Sequence, residues 1–441
     1  MISLVIALAT QVGPEAGEVL RPTLTTSTAI ESRSSAPSVT LAQLLTAASE
    51  RNLDRRITVE QHRKSDLEVK QAWSALVPSL SVQAGWTHNQ YESEIPPGKL
   101  SPDAVTLVAL DQLDLAARVD VPLIDTQRWM RAGAAEASRE ALAAREQLTM
   151  DQVRRAVTTG WYGYAAALAL EASAQRSVVA AEAQLEFQEI RERAGAVTEL
   201  ELLRARAEVE RNRQSVADAQ RLVAVSRRSL TSLTGHDPGP AARLPKLDLS
   251  PAGRLEDLEM HVDALPAVRA AEADREGGEK LATAAKLALL PIVGAQFTER
   301  VSNSAGFSSH SASFTLGANL QWRLDGPALM GIDVQGSNLA ILALVVERTR
   351  MAARDQINAD WQALHAALTK VQAVKAQVEA VARAREVASK RYQLGAATQL
   401  DLIQAERDLF GAEVQQIQAQ SDLASARAAL QISAGLPPEV P

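Results

Sequence analysis

Two periodicities alternate along the chain. In SLSVQAGWTH, Leu80, Val82, Ala84 and Trp86 alternate with Ser79, Ser81, Gln83, Gly85 and Thr87. One apolar and one polar face at a period of two predicts a strand. LDLAARVDV repeats it, with Leu113, Leu115, Ala117, Val119 and Val121 against Asp114, Arg118 and Asp120. FTLGANLQW does so again, with Phe314, Leu316, Ala318, Leu320 and Trp322 against Thr315, Gly317, Asn319 and Gln321. Between these stretches the pattern is helical. Leu41–Leu76 predicts one amphipathic helix stopped by Pro78, and Leu255–Leu290 a second stopped by Pro291, because proline cannot continue the hydrogen-bond ladder. No proline occurs from Leu123 to Asp237 or from Ala328 to Leu436, where Ala, Leu, Glu, Gln and Arg dominate. These strong helix formers predict a helix from near Gln127 to Glu192, about 100 Å long at 1.5 Å per residue.

Each long tract is interrupted once, by RERAGAVTELELLRARAEV (Arg191–Val209) and by RYQLGAATQLDLIQAERDL (Arg391–Leu409). Gly195 and Gly395 suit the left-handed position after a helix end. Arg191, Arg193, Lys390 and Arg391 suit the negative end of its dipole. Thr198 with Glu201, and Thr398 with Asp401, then read as capping boxes that open the return helix. Each motif is the tip of a long helical hairpin.

The two tips belong to an internal duplication. At an offset of 200 residues Asp125 meets Asp325, Arg154 meets Arg354, Trp161 meets Trp361, Gly195 meets Gly395 and Gly235 meets Gly435. Upstream the offset becomes 213, with Pro78 meeting Pro291; a loop in His88–Val105, rich in Pro, Gly, Ser and charge, accounts for the change. The expected organisation is a signal-like segment and Ser/Thr/Pro-rich extension over 1–40 and a first repeat over 41–240, with strands near 79–93 and 106–122. A second repeat follows over 241–441, with strands near 292–303 and 311–324.

Hydrophobic residues make up 46% of the chain but aromatics only 3%, so Ala, Leu and Val must supply the packing, which favours closely approaching helices. A net charge of −7 argues against nucleic acid as a partner. Without cysteine, disulfides, thiolate metal sites and thiol catalysis are excluded. The six histidines form no i, i+4 pair, so no metal site is expected. No nucleotide-binding, zinc-hydrolase or nucleophile-elbow pattern is present, and neither an enzyme nor a cofactor is expected. Ile2–Leu8 followed by Ala7-Leu8-Ala9 resembles an export signal. No other apolar run reaches the roughly 18 residues of a spanning helix, so membrane insertion would have to use strands. Four strands cannot close a barrel, for which about eight are the practical minimum, whereas three chains would supply twelve.

The duplicated order of helix, Pro-strand-strand, long helix, G-x-x-[ST]-x-L-[DE]-[LV] turn and return helix resembles the outer-membrane efflux proteins of the TolC type. ALVPSLSVQAGW, VDVPLID and RYQLGAATQLDLIQAERDL carry the resemblance, which spans Leu41 to Gly435. It implies a mixed, mainly α fold: a homotrimeric α-barrel in the periplasm beneath a 12-stranded outer-membrane β-barrel. The implied function is a passive exit duct for efflux or type I secretion, docked to a periplasmic adaptor and through it to an inner-membrane transporter.

The resemblance also assigns residues. Asp401 aligns with a pore-entrance acid whose companion is replaced by Gln404. Tyr392 and Glu201 align with a pair linking neighbouring helix hairpins, although a supporting Arg is replaced by Ala397. Gly195, Thr198, Gly395, Thr398, Leu394 and Ala396 are the implied adaptor contacts. Trp86, Tyr91, Phe297, Phe307, Phe314 and Trp322 are the barrel aromatics, in contact with outer-membrane lipid. The competing readings are a structural coiled-coil protein and a periplasmic adaptor, itself built on a helical hairpin.

Overall fold

The computed structural model describes residues 39–98, 104–304, 306 and 310–436. The signal-like segment and Phe307 lie outside them. Helices α1 (Leu41–Arg51) and α2 (Leu53–Ser74) occupy the stretch expected to form one helix. The division falls at Asn52, whose side chain caps α2 by accepting from the Arg55 amide at 3.1 Å and donates to the Leu233 carbonyl at 3.0 Å. Its counterpart is divided too, into α5 (Leu255–Glu259), a 3-10 turn (Val262–Ala264) and α6 (Pro266–Leu287). Pro266 occupies the first turn of α6, where its missing N–H costs nothing.

The strands are β1 (Ser79–His88), β2 (Ser93–Ile95), β3 (Val105–Val108), β4 (Asp111–Ile124), β5 (Ile292–Ser302) and β6 (Ala312–Gln321). Two of the expected strands are thus shorter at the loop end. The Asn89 amide bonds to the Leu110 carbonyl and its side chain to that of Ala109, turning the chain there. Residues 93–95 and 105–108 then form a separate two-stranded ribbon. β6 stops before Trp322, whose indole N–H donates to the Leu289 carbonyl at 2.9 Å.

The main sheet is antiparallel in the order β1-β4-β5-β6. Its register sets Trp86 opposite Leu113, Val119 opposite Phe297, and Phe297 opposite Leu316. All four strands therefore turn their apolar residues to one side, where Phe297 and Phe314 stack at 6.1 Å. Glu299, opposite Ala117 and Phe314, is an acid within this face, and a second, Asp111, bonds His88 at 2.8 Å at its loop end. Among the described residues the strands form an open sheet, with the outer edges of β1 and β6 unpaired.

Helices α3 (Thr126–Arg193), α4 (Glu199–Thr234), α7 (Gly326–Gln393) and α8 (Gln399–Ser433) make two long hairpins. The bounds of α3 lie within one residue of those expected. Each repeat has its own core. Leu44, Val157, Trp161, Tyr164 and Leu230 are buried in the first, and Val268, Ile357, Leu364, Val371 and Leu423 in the second, with Trp361 packed against it. Helix α6 lies along both α3 and α7. Its Ala270, Ala271, Ala273, Gly277 and Gly278 are buried, as are Ala132, Ala134, Ala137 and Ala141 of α3. Small side chains let helix backbones approach closely, which accounts for a chain so poor in aromatics.

One expectation fails on α7. By length and composition this helix holds an apolar window sufficient to cross a membrane, and almost none of that window is buried. Asp333, Gln335, Ser337 and Asn338 break the apolar run in the sequence, although the average over the window stays apolar. Met330, Val334, Ile341, Leu344 and Met351 are exposed along the first half of α7.

Candidate functional site: the paired helix tips

The tips are built almost entirely by local hydrogen bonds. In the first, the Gly195 amide donates to the Glu192 carbonyl and the Ala196 amide to that of Arg191, both at 2.8 Å. In the second, Gly395 donates to Tyr392 at 3.0 Å and Ala396 to Arg391 at 2.8 Å. This double closure is the Schellman motif, and its turning residue needs positive φ. Gly195 stands at φ 71° and Gly395 at 73°. A Cβ at either position would meet nothing within 4 Å. Within one chain these glycines therefore serve backbone conformation, not close packing.

Both capping boxes are present. The Thr198 amide donates to the Glu201 carboxylate at 2.8 Å, and the Thr398 amide to that of Asp401 at 2.8 Å. The amide and then the hydroxyl of Thr398 hold the Asp401 carboxyl below the usual carboxylate range. A lowered native pKa means that the cap's contribution is present above the unfolded value and lost as pH falls through the native one. Asp401 is therefore charged at neutral pH at the tip of the hairpin. Leu394 is the most exposed large apolar residue there, at 83%. Gln404 is also exposed and donates to Asp408 at 2.9 Å, one turn further along α8. That places an acid beside the position where the expected one is missing.

Within one chain Tyr392 and Glu201 do not bond to each other. The Tyr392 hydroxyl accepts instead from the Gln188 amide at 2.6 Å and from Arg191 at 3.0 Å, both on α3. The carboxylate of Glu201 is held by its own cap, while its backbone carbonyl accepts from Gln399 at 2.9 Å. The link between hairpins thus runs through Gln188, Arg191 and Gln399. Gln188 and Gln399 are buried, and their Oε1 atoms lack partners among the described residues. Their sequence signal was a glutamine inside a helical seam, with Ala388 at the repeat position of Gln188.

Above the tips a charged belt joins the hairpins. Arg407 of α8 grips both carboxylate oxygens of Glu208 on α4, at 2.5 to 3.2 Å. The Ser173 hydroxyl of α3 donates to Glu413 of α8 at 2.5 Å, while Arg385 pairs with Glu406 at 3.3 Å within the second hairpin. Burial pushes the Glu406 carboxyl up, opposed by the nearby Arg385.

The profile of the outer membrane efflux protein family matches residues 44–236 and 263–436. No curated protein matches by sequence. Among solved structures, a membrane protein from Pseudomonas aeruginosa superposes with a TM-score of 0.77 at 20% identity, covering 90% of this chain and 93% of that one. The CmeC outer membrane channel of Campylobacter jejuni gives 0.77 at 15% identity, covering 90% and 85%. The outer membrane protein VceC of Vibrio cholerae gives 0.74 at 18%, covering 90% and 97%. At these identities the structural likeness speaks to the fold.

Proposed function

The chain belongs to the outer membrane efflux protein family, and on that premise we propose that it acts as a homotrimeric exit duct. Three copies close a twelve-stranded barrel in the outer membrane, above a periplasmic barrel of long helices. The helix tips dock on a periplasmic adaptor, which joins the duct to an inner-membrane pump.

The observation that carries this reading is the seam between the repeats. Inside the chain, β4 of the first repeat pairs with β5 of the second. The repeat counterparts of these strands are β6 and β1, the two strands left with bare edges. An unpaired edge calls for a partner strand, and the same seam between copies supplies it. Helix α6 is likewise held by α3 and α7, whereas its counterpart α2 lies along α3 and leaves Ile57 and Leu67 exposed. The bare face of α7 on a neighbouring copy matches that vacancy.

The duplication also predicts the register. Owing to the irregularity at Pro122/Ile124, β4 maps onto β6 at an offset of 201 and β1 onto β5 at 213. Val119 opposite Phe297 therefore becomes Leu320 opposite Ala84 of the next copy. The chain has no cysteine, so Ala84→Cys with Leu320→Cys, treated with oxidant or a short thiol crosslinker, is a clean probe. A covalent ladder ending at three chains is expected on a denaturing gel. Leu80→Cys with Leu320→Cys, four residues out of step, is expected to give none. Monomers alone from both pairs would sink the trimer.

In this arrangement Trp86, Phe297, Phe314 and Trp322 meet lipid at the apolar face. Asp401, Gln404, Glu201 and Tyr392 surround the periplasmic entrance. Gly195, Thr198, Leu394, Gly395, Thr398 and Ala396 present the adaptor contacts. Gly395→Val forces a β-branched residue to positive φ, costing roughly 1–2 kcal/mol at the tip. Dye efflux in the native host is expected to fall while native gels still show the trimer. Loss of the trimer instead would assign Gly395 to folding alone.

A further inference from the structure

The polar face of the sheet is not uniform. On β1 it carries Ser79, Ser81, Gln83, Gly85 and Thr87, and on β6 Ser313, Thr315, Gly317, Asn319 and Gln321, without a charge. Every charge on this face comes from the two middle strands: Asp114, Arg118 and Asp120 of β4, and Arg300 of β5. They are paired. Arg300 donates to Asp114 at 2.6 Å through Nη2, and Arg118 holds both oxygens of Asp120 at 2.8 to 2.9 Å. The second guanidinium also reaches Gln296 at 2.8 Å, and Gln112 donates to Asp114 at 2.6 Å. Two acids and two bases leave no net charge.

We propose that Asp114, Arg118, Asp120 and Arg300 form a charge-cancelled collar on the inner wall of the barrel, keeping that segment open to anionic, cationic and zwitterionic solutes alike. The proposal rests on the barrel reading above, in which the apolar face meets lipid and the polar face lines the lumen. The four side chains are 31 to 54% exposed. Pairs so wet add little to stability, so their effect is exerted on the field in the lumen. Twelve strands spaced about 4.8 Å apart and tilted near 40° enclose a backbone radius of roughly 12 Å. Wall charges then lie within about one Debye length of the axis at 0.1 M salt. Opposite charges at hydrogen-bond distance cancel over that span. Remove one partner and three unbalanced charges, one per copy, face the axis. Charge discrimination in the intact protein is thereby left to the acids at the periplasmic tips.

The test is the reversal potential of single channels in planar bilayers under a potassium chloride gradient. Arg300→Gln is expected to shift the cation-to-anion permeability ratio toward cations by about twofold or more, and Asp114→Asn toward anions by a similar factor. The double variant is expected to return near the starting value. Arg118→Gln and Asp120→Asn should repeat the pattern independently. Because loss of a pair could impair assembly, Thr298→Cys supplies a second route; it faces Arg118 across the seam and can be modified after the channel has formed. A positively charged, water-soluble thiol reagent should move selectivity toward anions, and a negatively charged one toward cations. Conducting channels whose reversal potential ignores all of these changes would overturn the collar. Failure of the unaltered protein to conduct at all would instead overturn the channel reading.

Discussion

Gly278→Leu is expected to prevent normal assembly. A Cβ built at Gly278 would run into Cδ1 of Leu342, with Leu339 Cδ1 at 3.9 Å. One residue earlier, Gly277 would meet Ala137 Cβ at 3.5 Å and the Ala134 carbonyl at 3.6 Å. The pair marks the place where α6 is held between α3 and α7, so neither neighbour can retreat without loosening the other seam. Overpacking a tight core costs typically about 1–3 kcal/mol. A whole leucine at this crossing belongs at or above the upper end. Because the obstructing atom is a side-chain end, the damage should be separable. Gly278→Ala alone is expected to lower the thermal midpoint measurably, and Gly278→Ala with Leu342→Ala to recover part of the loss. A coupling energy within error of zero in that cycle would show that the two side chains do not compete for one space.

Arg407→Leu is the second large effect. Glu208 is almost fully buried, with a side-chain exposure of 10%, and Arg407, itself 37% exposed, holds both of its oxygens. Removing one member of a buried pair strands the other charge, at about 3–5 kcal/mol when both are fully buried. The exposure of Arg407 discounts this toward roughly 2–3 kcal/mol. Faster hydrogen exchange in the tip-proximal turns of α4 and α8 is expected, with the sheet unaffected. Glu208→Leu combined with Arg407→Leu should restore most of the loss, because no charge is left stranded. If the single variant exchanges like the parent, the pair does not hold the hairpins together. Glu406, next in sequence, adds a pH dependence of known sign. Its native pKa is raised, so its contribution is fully present below the unfolded value and is lost as pH rises through the native one.

The parts of the fold legible in the sequence are those made by near neighbours. Helix α3 runs from Thr126 to Arg193, against an expectation of 127 to 192, because an uninterrupted run of helix formers leaves the backbone no competitor. The tips were legible for the same reason. Thr398 and Asp401 are three residues apart and cap each other reciprocally, and Gly395 is required by its own φ. What the local pattern did not show at the helix break, the tips and the sheet involves distant partners. The break at Asn52 depends on a carbonyl 181 residues away, and the partners of Tyr392 lie 201 and 204 residues away on α3. Glu299 sits in a row whose apolar character appears only when four strands are aligned.

By itself, then, the sequence determined the duplication, the alternation of strands and long helices, the two tips and the family they resemble. Periodicity and capping are written within a turn or two of helix, and a repeat needs only the chain compared with itself. Tertiary structure decided what faces what. It set Gln188 and Arg191 on Tyr392, Arg407 on Glu208, and Arg300 on Asp114, and it left β1, β6 and the apolar face of α7 bare. Those pairings depend on which helix turn or strand register meets another across about two hundred residues, and no local propensity encodes that choice.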